Sequence, residues 1–484
     1  MFFVIILIRI SIIMVSIIVF SYIKMGGDII FINRFEEKKL LNEILTSSKK
    51  EVFILYGRRR VGKSALLKEV SKNKKTLFYT ARKISKTEQL NIFSRSVGNF
   101  LNMGNIRFEN WEDAFRTLFN YSKRENIVII LDEFQYLAEK NEEIISILQI
   151  LLDELDDSKI KLILCGSSIN FMEGILNYKN PLYGRKTGSL KLNPISFENL
   201  KLFIPEYNYH QLIETYSIVG GIPYYLTLWN GKTDIFSNIE NLFLKLGAPL
   251  KEEPYFILYQ ELREPAIYQS ILEALASGRN KINEITSFIG ENDSRKIQPY
   301  LKSLINLKLI KRITPALLKN PHRTKNFLYV IDDQLFRFCY RYIFPYKESV
   351  DLNEYENVLN LIENDFSQYV SFEFEKQSVN YLKRRFNLIE AGKFWKKDVE
   401  IDMLGKDKEG KIYAAEIKWR NKKMNIKDFY NLKNKVEKIA LNVDYFILVS
   451  KSGFEENLSE IDDNVYFIEF SKEKGWKDWH GVKR

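Results

Sequence analysis

The segment at positions 57–64, Gly-Arg-Arg-Arg-Val-Gly-Lys-Ser, constrains what this chain can fold into more than any other feature. The mostly apolar residues 51–56 before it predict a short buried strand, and the leucine-bearing run that starts at Lys63 predicts a helix. Glycines near both ends of the loop let the backbone curl so that successive amides point inward. Strand, glycine-rich turn and helix together predict a phosphate-binding P-loop.

Each part of this loop has an expected role. The helix N-terminus adds partial positive charge where the phosphates would lie. Lys63 is expected to reach the β- and γ-phosphates and Ser64 to offer a hydroxyl to Mg²⁺. ATP and Mg²⁺ are therefore the expected cofactors. The residues expected to bind the nucleotide are Gly57, Arg58, Arg59, Arg60, Val61, Gly62, Lys63 and Ser64.

A second apolar run, residues 127–131, ends in the carboxylates Asp132 and Glu133. This places Asp132 at the carboxyl edge of a parallel sheet, where doubly wound folds bind their ligands. We expect Asp132 to hold Mg²⁺ through water and Glu133 to polarise the attacking water. Lys63, Asp132 and Glu133 are thus the expected catalytic residues, and Glu133 favours hydrolysis over passive nucleotide binding.

Two further segments leave alternatives open. A third apolar run, residues 161–165, leads into Gly166-Ser167-Ser168, which is either a sensor of the γ-phosphate or a serine-rich turn. Arg185 is either an arginine finger, acting in the same chain or across a subunit interface, or a solvated surface cation.

Length, cysteine and histidine content and net charge limit which other kinds of site this chain can contain. A chain of 484 residues predicts about three domains. The chain has two cysteines and three widely separated histidines, so we expect neither a disulfide framework nor a zinc cluster. The net charge of +11 suits contact with nucleic acid or an anionic surface and equally suits solubility.

The N-terminal residues 1–24 form a hydrophobic segment interrupted by Arg9. Two interpretations stand: a membrane anchor through residues 1–23, whose length approaches that of a spanning helix, or a spurious extension ahead of a natural start at Met25. Both place the body of the protein in the cytoplasm, in the first case anchored to a membrane.

The order of these motifs resembles the archaeal ATPase family, a STAND-type branch near the AAA+ ATPases. The resemblance covers residues 31–345 and includes Phe31-Ile-Asn-Arg34, the P-loop, Leu-Asp-Glu-Phe, Gly-Ser-Ser and Gly220-Gly-Ile-Pro223. It implies that the segment around Arg34 borders the adenine pocket. It also implies that the Gly-Ile-Pro turn begins the connection to a winged helix, and it carries the finger role over to Arg185.

Residues 264–313 predict three helices, over 267–277, 281–289 and 293–307, which resemble a helix-turn-helix. Two following strands, at 309–313 and 326–330, resemble a wing. Its tip would hold the cations Lys319, His322, Arg323 and Lys325, suited to phosphate contacts with nucleic acid. A regulatory or protein-binding lid is the alternative.

After Pro345 we expect a long helical stretch, in which Phe374-Glu375 opens a helix, and then strands. A hairpin is expected to bring Asp402 together with Glu416 and Lys418. Side chains two residues apart share a strand face, so this arrangement would make a hard-cation site, with Asp402 and Glu416 as metal ligands, beside a lysine. The constellation resembles the PD-(D/E)xK nuclease fold. The resemblance implies carboxylates that hold Mg²⁺ and a lysine that orients water.

The expected architecture is therefore α/β. It comprises a P-loop NTPase core with a parallel sheet (28–230), a winged-helix domain (231–345) and a restriction-endonuclease-like α/β domain (346–484). The leading function is ATP hydrolysis coupled to conformational change, acting on DNA or other nucleic acid and with nuclease activity open, in a chain that could form oligomers. The alternative is a nucleotide-dependent signalling or scaffold protein with an inactive C-terminal domain.

Overall fold

The computed structural model describes residues 22–25, 28–139, 141, 143–154, 157–318, 320–321, 324–461 and 464–479, with side chains from residue 32 onward except at 459 and 460. Three of the expected wing-tip cations, Lys319, His322 and Arg323, lie outside these residues, as do residues 1–21.

The chain folds into two compact units. The first contains the residues up to Ile195 together with Ile222–Thr227, and the second contains Ser196–Gly221 together with the residues from Leu228 onward. Residues 196–221, which the sequence analysis assigned to the ATPase core, thus belong to the second unit.

Helices account for most of the connections between strands. In chain order they are Phe35–Thr46 (α1), Lys63–Val70 (α2), Lys86–Leu101 (α3), Trp111–Ser122 (α4), Phe134–Ala138 (α5), Glu143–Glu154 (α6), Ile169–Ile175 (α7), Tyr209–Val219 (α8), Pro223–Leu228 (α9), Ile235–Ile239 (α10), Glu253–Glu261 (α11), Pro265–Ala276 (α12), Ile282–Phe288 (α13), Ser294–Asn306 (α14), Gln334–Phe338 (α15), Lys347–Asp351 (α16), Glu356–Arg385 (α17) and Ile426–Lys438 (α18).

The N-terminal end of the described chain is a short hairpin. Tyr22–Met25 (β1) pairs antiparallel with Asp28–Phe31 (β2). Residues 22–24, the last three of the hydrophobic segment, therefore lie in a strand. Within the part of the chain that the structure describes, no helix combines the length and apolar character needed to cross a membrane.

A five-stranded parallel sheet organises the first unit, in the order β4-β5-β6-β3-β7. Its central strands are almost continuously apolar and buried, as expected where helices cover both faces. Because the strands are parallel, their carboxyl ends share one edge of the sheet. The strands are Glu51–Tyr56 (β3), Thr76–Thr80 (β4), Val128–Asp132 (β5), Lys161–Gly166 (β6) and Gly188–Lys191 (β7).

Helices α3 and α4 illustrate how local sequence builds the core of this unit. The Asn110 side chain accepts a hydrogen bond from the Asp113 amide and so caps α4. Phe93 on α3 and Phe115 on α4 are fully buried, with ring centroids 5.1 Å apart. This packing fixes the helices against the sheet and leaves its carboxyl edge for the loops.

The middle of the second unit contains three helices, α12 to α14, followed by the antiparallel pair Ile310–Ile313 (β8) and Leu328–Ile331 (β9). Each helix ends within two residues of its predicted bounds. The Asp293 carboxylate accepts from the Arg295 amide at 2.9 Å and caps α14. Fully buried leucines and isoleucines, among them Ile271 and Leu304, form the core of this part.

A six-stranded mixed sheet, in the order β10-β11-β12-β13-β14-β15, forms the C-terminal part of the second unit. One correction concerns α17, which begins at Glu356 and not at Phe374, so that Glu375 lies well inside a 30-residue helix. The strands are Glu390–Lys396 (β10), Val399–Lys406 (β11), Ile412–Lys418 (β12), Tyr445–Ser450 (β13), Val465–Ser471 (β14) and Gly475–Asp478 (β15).

Candidate functional site

The loop at 57–64 joins the carboxyl end of β3 to the start of α2, as the sequence predicts. Gly62 and Arg60 have positive φ angles of 91° and 66°, which turn the chain back over the helix N-terminus. A Cβ atom at Gly57 would lie 2.3 Å from the carbonyl oxygen of Leu192, so only glycine fits there. The loop therefore has the tight curl that a phosphate cradle needs.

Lys63 extends over this loop. Its Nζ donates hydrogen bonds to the carbonyl oxygens of Gly57 and Arg58, each at 2.9 Å, and the residue is 6% exposed. The ammonium is thus held at the loop by weak backbone acceptors. Phosphate oxygens are stronger, charged acceptors for such a donor.

Ser64 and Asp132 meet although they are far apart in sequence. Ser64, in the first turn of α2, donates from Oγ to the Asp132 carboxylate at the end of β5, over 2.7 Å. Burial and the charge of Glu133 raise the pKa of Asp132, while hydrogen bonds from Cys165 and Ser64 oppose the shift. A hydroxyl and a carboxylate held this close are hard oxygen donors of the kind that Mg²⁺ takes, so the residues present fit that ion.

Glu133 follows Asp132 with a positive φ of 53°. Its Oε2 accepts hydrogen bonds from Ser167 Oγ at 2.6 Å and from Gln135 Nε2 at 2.5 Å. Burial alone would raise the pKa of Glu133, but the Lys63 ammonium and the Ser167 hydroxyl hold it below its usual value. The carboxylate is therefore kept ionised beside the loop.

The arginines of the loop and of the preceding segment have partners within the first unit. The Arg60 guanidinium lies 4.2 Å from the ring centroid of Tyr224, and Arg59 donates to the hydroxyl of Tyr136. Arg34 is buried and donates to Glu37 at 2.9 Å and to the carbonyl of Asn193. Burial lowers the pKa of Arg34, and its contact with Glu37 opposes that shift.

Arg185 lies apart from this cluster in its described contacts. Its guanidinium forms a two-pronged ion pair with Asp153, at 2.7 and 2.6 Å, and donates to the carbonyl of Pro181 at 2.6 Å. These are the contacts of a surface ion pair on α6. The arginine-finger role stays a prediction that needs this pair to open.

The C-terminal carboxylates also meet, on the β11–β12 hairpin. Lys418 Nζ lies 2.5 Å from Glu416 and 3.7 Å from Asp402. The Ile417 amide donates to Asp402 at 2.8 Å, and Lys435 of α18 lies 2.9 Å from the second oxygen of Glu416. The hairpin thus joins the three predicted residues, and helix α18 adds a second lysine.

Glu375 faces this group from α17. Burial and the charge of Asp402 raise the pKa of Glu375 to about 7, while Lys393, 3.6 Å away, opposes the shift. Burial and the charge of Glu416 likewise raise the pKa of Asp402. Among the residues that the structure describes, no three histidine, cysteine or acidic side chains are arranged to hold a metal ion. Asp402, Glu416 and Glu375 therefore lie in a network of ion pairs with Lys418, Lys435 and Lys393.

Sequence reasoning missed several of these residues. Gln135 lies one residue beyond the recognised Leu-Asp-Glu-Phe motif. The sequence shows that it is two residues from Glu133, but it does not show that the two side chains meet. Lys435 and Tyr224 carried no motif, because their partners are distant in sequence. Ser167 and Glu133 were both singled out, but the hydrogen bond between them was not predicted.

Comparison with known proteins identifies the first part of the chain. Residues 31–228 match the family described as an ATPase domain predominantly from Archaea. Residues 339–429 match a family described as archaeal and bacterial proteins of unknown function. The second match leaves the C-terminal site without an assigned activity.

Individual relatives agree with these matches. The uncharacterized protein MJECL04 of Methanocaldococcus jannaschii is 34% identical over 435 residues, which covers 87% of this chain and 95% of that protein. The uncharacterized ATP-binding protein MJ0423 of the same organism is 47% identical over 51 residues, covering 10% of this chain and 86% of its own length.

A solved structure shares the fold. The Walker-type ATPase PABY2304 of Pyrococcus abyssi superposes with a TM-score of 0.50 at 20% identity, covering 67% of this chain and 99% of that one. At this identity the similarity speaks for the architecture and not for a substrate.

Proposed function

We propose that this chain, which belongs to the family of ATPase-domain proteins found predominantly in Archaea, hydrolyses ATP with Mg²⁺ at residues 57–64, Asp132 and Glu133. The observation that carries this assignment is the 2.7 Å contact between Ser64 and Asp132, with Lys63 and Glu133 beside it. These four side chains come from two segments at one edge of the sheet, the P-loop after β3 and the end of β5, and they converge where the phosphates would lie.

In this mechanism the chain's own residues bind the phosphates and take a proton from the attacking water. The loop amides and Lys63 hold the phosphates, and Lys63 exchanges two carbonyl acceptors for charged oxygens. Ser64 and Asp132 would hold Mg²⁺, which when bound neutralises charge that develops on the phosphate oxygens. Glu133 takes the proton of the attacking water, for which its ionised state is required.

The test compares two substitutions with a matched control. Lys63→Ala should abolish tight ATP binding, whereas Glu133→Gln should bind ATP and lose about 100- to 10,000-fold in turnover, because a carboxamide accepts no proton. Lys72→Ala, a 59% exposed lysine just beyond α2, should leave both quantities unchanged. ATP affinity that survives Lys63→Ala would refute the site.

We propose further that hydrolysis drives a conformational change that acts on nucleic acid through the middle helices and the β8–β9 pair, interpreted as a winged helix. Arg295, Lys296 and Lys302 on α14 are exposed, as is Lys325 before β9. Two of these four cations form ion pairs, Arg295 with Asp293 and Lys296 with Glu291. Lys302 and Lys325 are the better candidates for phosphate contacts.

DNA binding that weakens steeply with salt, and weakens further in Lys302→Ala and Lys325→Ala, would support this interpretation. Lys232→Ala, at a lysine outside this helical region, serves as control. Binding that is absent at low salt would leave the signalling or scaffold alternative in its place.

A nuclease-like role for the C-terminal part is a second candidate, favoured by the convergence of Asp402, Glu416 and Lys418. In it, Asp402 and Glu416 would hold Mg²⁺ and Lys418 would orient water. A metal must compete with Lys418 and Lys435 for Glu416, since each of its oxygens already has an ammonium partner.

Calorimetry with Mn²⁺ on the full chain tests this, in a Ser64→Ala/Asp132→Asn background that removes the other candidate site. Binding should be lost in Asp402→Ala and Glu416→Ala but kept in Lys418→Ala, while cleavage of DNA should fall in all three. No detectable Mn²⁺ binding, with or without DNA, would exclude the nuclease and leave an ion-pair network.

A further inference from the structure

The carboxylate of Glu133 is held on one oxygen by two donors from different elements. Ser167, directly after β6, donates from Oγ to Oε2, and Gln135, in the first turn of α5, donates to the same oxygen from Nε2. Gln135 Nε2 also donates to Ser167 Oγ at 3.0 Å. The three side chains therefore form a closed triangle.

The orientation of the Gln135 amide is fixed by this triangle. Glu133 is an ionised acceptor, so only the NH₂ end of the amide can face it. Gln135 is 3% exposed, and its Oε1 is buried with no hydrogen-bond partner. Burying a carbonyl oxygen without a hydrogen bond is unfavourable. The packing therefore holds the amide in this orientation despite the free energy that the unpaired oxygen costs.

Gly166 provides the space for this amide. A Cβ atom there would lie 2.7 Å from Gln135 Oε1 and 2.5 Å from Met172 Sδ. Any larger residue at the end of β6 would displace either the amide or the buried methionine. The glycine of the Gly-Ser-Ser turn thus has a steric role distinct from that of Ser167.

We propose that Gln135 and Ser167 are positioning residues for ATP hydrolysis, holding Oε2 of Glu133 so that Oε1 faces the attacking water. This inference rests on the proposed role of Glu133 as general base. Because both donors bind the same oxygen, they fix the plane of the carboxylate and leave the other oxygen to take the proton. A base held in the productive geometry needs no reorientation during the reaction.

Two consequences separate positioning from a structural role. In the proposed role neither side chain binds the phosphates, so their loss should lower kcat and leave the KM for ATP unchanged. Ser167 acts through its hydroxyl, so threonine should replace it in turnover and alanine should not.

The experiment measures kcat and KM of ATP hydrolysis in four variants of the full chain. Gln135→Met, which keeps the length of the side chain, and Ser167→Ala should each lose about 10- to 100-fold in kcat. Ser167→Thr keeps the hydroxyl and should retain the wild-type kcat and KM. The double variant Gln135→Met/Ser167→Ala should lose little more than either single one, because the residues act as a unit.

Other outcomes would overturn the proposal. A raised KM with unchanged kcat in Ser167→Ala would make this residue a phosphate contact, and an increased kcat in Gln135→Met would make the amide an inhibitory latch. Equal losses of kcat in Ser167→Ala and Ser167→Thr would leave a structural role for this residue. Wild-type turnover in Glu133→Gln would show that Glu133 is not the general base. That result would contradict the proposed function itself, and it is distinguishable because it does not involve the two donors.

Discussion

At the scale of single residues, the pKa values of neighbouring acids in this molecule are shifted in opposite directions. Burial raises the pKa of Asp132, whereas Lys63 and Ser167 outweigh burial and lower the pKa of Glu133. In the C-terminal group, burial and Asp402 raise the pKa of Glu375 to about 7. Each difference follows from which cations and donors the fold places beside the carboxylate.

Glu375 should therefore make stability depend on pH. Its pKa rises from 4.5 in the unfolded chain to about 7 in the folded one, so the folded state holds a proton that the unfolded state has released. The free energy of unfolding should fall as pH rises through this window, by up to about 3 kcal/mol. Urea unfolding at pH 5 and pH 8 should show this slope in the wild type and a smaller one in Glu375→Gln.

The exposed Glu363, on the same helix, provides the matched substitution. Glu363→Gln should keep the wild-type slope. Equal slopes in wild type and Glu375→Gln would show that the buried carboxyl is ionised throughout and that its neighbours compensate for burial.

At the scale of elements, the contact between the P-loop and the segment after β7 determines whether the phosphate cradle can form. The Leu192 amide donates to the Tyr56 carbonyl at 2.7 Å, which brings the Leu192 carbonyl against Gly57. Gly57→Ala should cost roughly 1–3 kcal/mol of stability and weaken ATP binding, because the added methyl meets backbone that cannot move away. Thermal unfolding and nucleotide titration measure the two effects.

Gly174, within α7, is the corresponding control. Nothing lies within 4 Å of a Cβ built there, so Gly174→Ala should be neutral or stabilising by up to about 1 kcal/mol. If Gly57→Ala behaved like Gly174→Ala, the close approach at Leu192 would not govern the loop.

At the scale of the whole molecule, the first unit assembles its site from elements that begin at Phe35. Deleting residues 1–24 removes most of β1 but no strand of the five-stranded sheet. We expect the shortened chain to bind ATP with unchanged affinity and to hydrolyse it at the full rate. Loss of either property, measured by nucleotide titration and phosphate release, would mean that the deleted segment packs into the fold.

Sequence alone determined the parts of this protein that depend on local geometry. The glycines and lysine of the P-loop act over eight consecutive residues, and Asp132 is placed by the strand that it ends. Likewise Glu416 and Lys418 share a face because strand side chains alternate, and a short hairpin brings Asp402 to them. In each case, neighbours along the chain fix the arrangement.

Only the tertiary structure decided which distant side chains complete these sites. Ser167 and Glu133 are 34 residues apart, Lys435 and Glu416 are 19 apart, and Arg185 pairs with Asp153 across 32 residues. The start of α17 at Glu356 was missed for a related reason, since burial against the rest of the second unit, and not a local cap, extends that helix. Such partners are selected by packing, which brings elements together through long-range apolar contacts that no short motif encodes.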